Sequence, residues 1–408
     1  MTTRIEATRL IPGRGNVVNN GVVVLEDGSI TFAGPSSDAP NTPDADLITT
    51  DSVMPGMWEC HGHFLGINTV NIDETWVTRP QLMAMRATAD ARTALLAGFT
   101  SVRELGGQGS FLSFAIDEGT VIGPHVYASG SMLSMSAGHG DVHGMDLATS
   151  RHVLAAAWGE DNIVDGPDEA RAGVRRMLRL GARVIKIHAS GGVLSQLDDP
   201  HLPQFSKAEL EAIVDEATQM ERVVAAHTHG KRGMMAAIEA GIKTLEHGTY
   251  IDDEVADAMV EQGVMLVPTR WIVDFLLREG DEHGMPEYAK QKAYAAGSQH
   301  ADGMALAVSK GVKIALGTDI FGAGAWGKNG EELQLMVDCG MTPLQAIEMA
   351  TANGPETVGL QARSTGQLIE GLDADVICVN GDPSADVSIL GNADNVTHVF
   401  KSGVRYKG

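Results

Sequence analysis

From Gly21 to Gly34, apolar and polar positions alternate on either side of Asp27-Gly28, a pair favoured in two-residue hairpin turns. This predicts a β-hairpin near the amino end. Towards the other end, DADVICV (373–379) and NVTHVFKSGVRY (395–406) have the same short β character. Neither end can bury a sheet face alone, so residues 1–53 and 360–408 together predict a small composite β-sandwich. Between them the rhythm changes. From Met54 to Gly359, short apolar runs alternate with helical text, the pattern of a βα repeat with parallel strands. The runs are MWECHGH (57–63), FTSVREL (99–105), HVYASG (125–130), RVIKIHA (183–189), RVVAAHTH (222–229), IKTLEHG (242–248), VMLVPT (264–269) and VKIALGTD (312–319). One intervening helix, SKAELEAIVDEATQM (206–220), opens with a Ser206 cap and Glu209 at the capping-box position. Eight strands over about 300 residues predict an α/β fold, a (β/α)8 TIM barrel spanning 54–359. No Gly-x-Gly-x-x-Gly follows the first strand, which disfavours a doubly wound nucleotide-binding sheet.

Composition narrows the partners. Among 408 residues, 30 Lys plus Arg face 53 Asp plus Glu, a net charge of −23, which speaks against nucleic acid and anionic membrane surfaces. With 43% hydrophobic residues the chain can build a large core. Its start has no apolar run long enough for a signal-peptide core, and a cytoplasmic location is expected. Cys60, Cys339 and Cys378 are too scattered for a disulfide framework and read as reduced, buried thiols.

The chemistry gathers at the carboxyl ends of the predicted strands, where barrel active sites lie. These ends carry His61-Gly-His63, Lys186, His227-Thr-His229, Glu246-His247 and Thr318-Asp319. Residues two apart on a strand share a face, so His61 can act with His63, and His227 with His229. Imidazole and carboxylate together form the ligand set of zinc and related divalent ions. In VIKIH, Ile185 and Ile187 take one face while Val184, Lys186 and His188 take the other. A lysine amine in a barrel interior is pushed towards its neutral form, which can add carbon dioxide and become a carbamate bridging two metals. The alternative is a lysine that snorkels to solvent or pairs with an acid.

VMPGMWECHGH resembles the entry signature of the metal-dependent amidohydrolase superfamily, and GLDADVICVNGDP resembles its closing one. Lys186, His227, His247 and Asp319 follow the order of the binuclear members, and the chain is most similar to the Xaa-Pro dipeptidase (prolidase)-like and ochratoxin-hydrolysing subgroup. The resemblance implies two divalent ions, zinc by preference. His61, His63 and Asp319 would hold the buried ion and His227 and His247 the more exposed one, with N-carboxylated Lys186 and a hydroxide bridging them. It further implies Asp319 as base, His229 facing the substrate carbonyl and His139, in SAGHGDVHG, contacting substrate. Trp58-Glu59-Cys60 departs from the usual apolar-Asp-x run, which leaves the ligands in place and gives Glu59 a supporting role.

Further candidate substrate contacts are His143, Tyr250, Arg270 and Trp326, each balanced by an ordinary structural role. The long segments Phe64–Pro80, 131–167 and 270–300 are candidate lids or pocket walls, with Met132, Met135 and Met145 as adaptable lining. Two dications less the carbamate, Asp319 and hydroxide leave a local charge of about +1, which accommodates a small-molecule substrate with a free carboxylate. The expected activity is hydrolysis of a dipeptide or N-acyl amino acid, including ochratoxin-like amides. The alternatives are a urea, carbamate or cyclic-amide hydrolase and a catalytically silent metal-binding barrel. The resemblance also makes a homo-oligomer an open expectation.

Overall fold

The computed structural model describes residues 2–322 and 324–408. Four strands open the chain: β1 (Thr3–Leu10), β2 (Val18–Glu26), β3 (Ser29–Pro35) and β4 (Asp46–Pro55). The β2–β3 turn is the expected one. Asp27 and Gly28 both adopt positive φ, 49° and 86°, as a turn matched to strand twist requires. The middle contributes β5 (Met57–Gly62), β6 (Phe99–Glu104), β7 (His125–Ala128), β8 (Ile185–His188), β9 (Val224–Thr228), β10 (Thr244–His247) and β11 (Met265–Val267). The chain closes with β12 (Val376–Val379), β13 (Val396–Lys401) and β14 (Val404–Lys407).

Both chain ends meet in one seven-stranded sheet, ordered β14-β13-β12-β4-β1-β2-β3. The strands therefore pair as one continuous ladder and not as two separately hydrogen-bonded sheets. The reason is local: Val376–Val379 runs antiparallel along Ser52–Pro55, so the carboxyl-terminal strands extend the ladder begun by the first four. Ile30 N–H donates to the Leu372 carbonyl at 2.9 Å, which ties the β3 edge to the segment entering β12. Ile5, Val23, Ile48, Val376 and Phe400 share the resulting apolar cluster.

The middle strands pair in parallel as β5-β6-β7 and β11-β10-β9-β8. Helices alternate with them, among them Lys207–Gln219, whose Ser206–Glu209 capping box is formed. The eighth predicted strand, 312–319, is not a regular strand. It makes an isolated parallel bridge, Leu266 with Ile314, and Ile320 just beyond it makes another with Gly62. Gly317 approaches too closely for any side chain, since a Cβ there would lie 2.3 Å from Val267 Cγ1, and Asp319 turns the chain with φ of 57°. Even so, Cys60 N–H donates to the Leu316 carbonyl at 2.8 Å, and a third bridge, Leu133 with Ile187, links the segment after β7 to β8.

The core follows the alternation read from the sequence. Ile185 and Ile187 enter the main apolar cluster, while Lys186 and His188 on the opposite face line a cavity. Among the described residues, no helix is long and apolar enough to cross a membrane.

Candidate active site

His61 and His63 leave β5, Lys186 and His188 sit on β8, His227 ends β9 with His229 just beyond, and His247 ends β10; all are buried. Asp319 joins them from the irregular eighth segment, placed by its N–H on the His61 carbonyl at 2.7 Å. Its Oδ1 lies 3.1 Å from His63 Nε2 and 3.5 Å from His61 Nε2, and Lys186 Nζ lies 3.4 Å from that same His61 nitrogen. Among the described residues, two groups offer ligand atoms within 4.8 Å of one another: His227, His229 and His247, and His61, His247 and Asp319. His247 belongs to both. The first group thus includes His229, and the two groups adjoin.

Three of the imidazoles are oriented by the loop after a neighbouring strand. His63 Nδ1 meets the Gly106 carbonyl at 2.8 Å, His229 Nδ1 meets Thr249 Oγ1 at 2.7 Å, and His247 Nδ1 meets Thr269 Oγ1 at 2.8 Å. Gly106, Thr249 and Thr269 each stand two residues past the end of the neighbouring strand. Thr269 holds its position at φ of 51°, a left-handed conformation costing a β-branched residue about 1–3 kcal/mol. Its neighbours fix it there. Glu332 accepts the N–H groups of Arg270 and Trp271 at 2.9 and 2.6 Å, His300 Nε2 donates to the Pro268 carbonyl at 2.9 Å, and Thr269 N–H donates to Gly317 at 2.9 Å.

Beneath the histidines lies a buried ion pair that the sequence reading did not assign. Arg103 on β6 donates through Nη2 to both Glu246 oxygens at 2.8 Å and through Nη1 to Thr244 at 2.9 Å, and its Nε meets the Cys60 carbonyl. Glu246 Oε2 also accepts from His61 Nδ1 at 2.8 Å. An arginine within a predicted, fully buried strand was the available signal. Arg103→Met strands the Glu246 carboxylate without its partner and is expected to cost about 3–5 kcal/mol in a urea unfolding titration. A loss below about 1 kcal/mol would show that the pair does not anchor the site. Glu59 plays the supporting role expected of it: it accepts from His61 N–H at 2.8 Å, from Thr318 N–H at 3.0 Å and hydroxyl at 2.7 Å, and from Asn329 at 2.7 Å.

Burial, reinforced by neighbouring positive charge, holds His61, His188, His227, His229 and His247 well below the usual imidazole range, so they are neutral at pH 7. Burial also lowers the Lys186 ammonium to about 8, against the pull of Glu246 and Asp319. In His63, burial is outweighed by the Asp319 carboxylate, and the imidazole is raised.

These groups form one end of a cavity of about 350 Å³ whose other walls are largely apolar, including Trp76, Trp158, Leu276, Tyr288 and Phe321. His139 and His143 line it, as do Met132 and Met145. Three other expected contacts do not. Tyr250 stacks on His201 at 4.3 Å, Trp326 stacks on Phe64 at 4.3 Å, and Arg270 begins a helix whose first N–H groups are fixed on Glu332. Met135 packs against the main core. The 270–300 segment contributes wall residues, but as helices Arg270–Glu279 and Glu287–Lys310. A wall the sequence reading missed follows β8, where Val193, Leu194, Ser195 and Gln196 reach the cavity.

Comparison with known proteins places the whole chain in a family. Over 420 aligned residues the chain is 42% identical to ochratoxinase from Aspergillus niger, covering 100% of this chain and 87% of that protein. The crystal structure of A. niger ochratoxinase superposes with a TM-score of 0.91 at 41% identity, covering 100% of this chain and 96% of that one. A Xaa-Pro dipeptidase with methionine bound in its active site gives 0.88 at 32% identity, and a prolidase complexed with N-methylphosphonate-L-proline gives 0.92 at 30%, each covering 100% of both chains. The family model described as "Amidohydrolase family" matches residues 52–405. The chain therefore belongs to the amidohydrolase family and is a hydrolase acting on carbon–nitrogen bonds.

Proposed function

We propose that the chain is a binuclear metal amidohydrolase cleaving the amide of a dipeptide or an N-acyl amino acid, ochratoxin-like amides included. The observation that carries the reading is the convergence of His61, His63, Lys186, His227, His247 and Asp319 at one end of a single cavity. The catalytic unit would be a closed barrel over 54–359, flanked by the composite β unit of 1–53 and 360–408. Support for closure comes from the bridges that join the segment after β7 to β8, β11 to the eighth segment, and the end of that segment to β5.

The donor set fits divalent ions of the zinc type: neutral imidazoles and a carboxylate, within reach of one another. The hydrogen bonds select the coordinating atoms. Glu246 and the Gly106 carbonyl can only accept, so His61 and His63 keep their protons on Nδ1 and leave Nε2 for metal. His227 donates Nε2–H to the Gly191 carbonyl at 3.2 Å, which leaves Nδ1 free. His61, His63 and Asp319 would hold one ion, His227 and His247 the other, and carboxylated Lys186 would lie between them. Bound dications supply a water acidic enough to serve as nucleophile at neutral pH and polarise the scissile carbonyl.

Asp319 would take the proton from that water and deliver it to the departing amine nitrogen, which cannot leave as an anion. A threonine hydroxyl can donate or accept, so Thr249 permits His229 to keep its proton on Nε2 and donate to the developing oxyanion. The apolar walls around Trp76, Trp158 and Tyr288 would receive the acyl or side-chain portion of the substrate.

The test is a substrate panel on zinc-loaded protein, comparing N-acyl aromatic amino acids, Xaa-Pro dipeptides and aryl carbamates. Amide hydrolysis should disappear with a chelator and return with zinc. Chelator-resistant hydrolysis, or turnover of carbamates alone, would contradict the proposal.

A further inference from the structure

The cavity wall that follows β8 is organised around one buried carboxylate. Asp198 Oδ2 accepts from Gly192 N–H at 2.8 Å and Gln204 Nε2 at 3.2 Å, and Oδ1 accepts from the Ser195 hydroxyl. Lys292, on helix Glu287–Lys310, closes the same segment from above. Its Nζ donates to the carbonyls of Gly192, Ser195 and Asp198 at 3.0, 2.9 and 2.7 Å, and lies 3.3 Å from Asp198 Oδ1. A residue 94 positions away in sequence thus saturates a loop that has no regular structure of its own.

The assembly ends on His139. Ser195 Oγ is 2.7 Å from His139 Nδ1 and Asp198 Oδ2 is 3.5 Å from it, while His139 N–H donates to Gln204 Oε1 at 2.9 Å. The ring stacks on His227 with centroids 4.4 Å apart. Gly192 leaves no slack, because a Cβ there would fall 2.1 Å from His139 Cε1. Ser195 has one hydroxyl proton, and both oxygens it can give it to, Asp198 Oδ1 and the Gly192 carbonyl, only accept. Ser195 must therefore accept from His139, which places a proton on His139 Nδ1.

We propose that Asp198 and Lys292 are positioning residues for His139: Lys292 pins segment 192–198 to the overlying helix, and Asp198 sets the ring's place and tautomer through Ser195. The inference rests on the functional reading above for His139's contact with substrate, but its structural half can be tested without turnover.

The experiment is a double-mutant cycle on the zinc-loaded full chain, with Asp198→Asn, Lys292→Met and His139→Ala. Asp198→Asn and Lys292→Met should each lower kcat/KM by about 10–100-fold, as loss of a partner that orients an active-site group does, with metal content unchanged. In the His139→Ala background either change should add little, because residues acting through one group are not additive. Additive losses would overturn the proposal, as would loss of metal in either single variant.

Histidine-selective 15N spectra supply the second readout, with His139 assigned by its absence in His139→Gln. The parent should show Nδ1–H, and Asp198→Asn should shift the ring towards a mixture. Amide exchange in 190–203 should accelerate in Lys292→Met. An unchanged tautomer and unchanged exchange would overturn the proposal even if the parent hydrolysed none of the amides, an outcome that would separately defeat the functional reading.

Discussion

Asp319→Asn is expected to lower kcat/KM for an amide substrate by at least about 10²–10⁴-fold, the contribution of a positioned proton acceptor, while the chain stays folded. The substitution leaves the backbone undisturbed. Asparagine tolerates the left-handed backbone at φ of 57° and matches aspartate in shape, so the segment closing against His61 need not move. What it lacks is the capacity to accept a proton and the charge that complements a dication. The check is steady-state kinetics beside a melting curve on the same preparation. Hydrolysis at the parental rate would remove Asp319 from the mechanism.

Lys186→Met should have a comparable effect for a different reason. The two side chains have similar volume, and Lys186 is buried in the wall of the cavity, so a purely structural lysine replaced by methionine would leave stability unchanged or raise it. If the amine instead becomes an anion between two cations, the variant should fold, bind less metal per chain, and lose more than the roughly 100-fold that removal of an outer partner costs. Metal analysis and kinetics on one sample distinguish the two. A variant with full metal content and full activity would return Lys186 to a packing role.

Much of this site was legible because a strand's alternation is unforgiving. VIKIH places Lys186 and His188 opposite two isoleucines, and the structure puts those isoleucines in the core and the other pair in the cavity. Doublets such as His61-Gly-His63 are visible for the same reason. Beyond the strands legibility was partial, with His139 and His143 reaching the cavity but other expected contacts not. Position immediately after a strand does not fix the direction of a side chain, and Tyr250, Arg270 and Trp326 turned aside to His201, a helix start and Phe64. The eighth segment has strand-like composition, yet the close packing at Gly317 and the turn at Asp319 leave it only isolated bridges.

The supporting partners were harder to see. Arg103 with Glu246, Thr269 with His247, and Lys292 with Asp198 come together only through three-dimensional folding, and a lone arginine, threonine or lysine in sequence does not name its partner. The single sheet formed by the chain ends has the same origin. Which strand lies beside β4 is decided by pairing, and hydrophobic periodicity does not encode it.

The account turns on the state of one side chain in the metal-loaded protein. Crystals grown with zinc and bicarbonate, with anomalous data collected at the zinc edge, should show two ions flanked by the histidines and density for a carboxyl group on Lys186 Nζ reaching both. A bare Lys186 ammonium, with a single ion or none nearby, would contradict it.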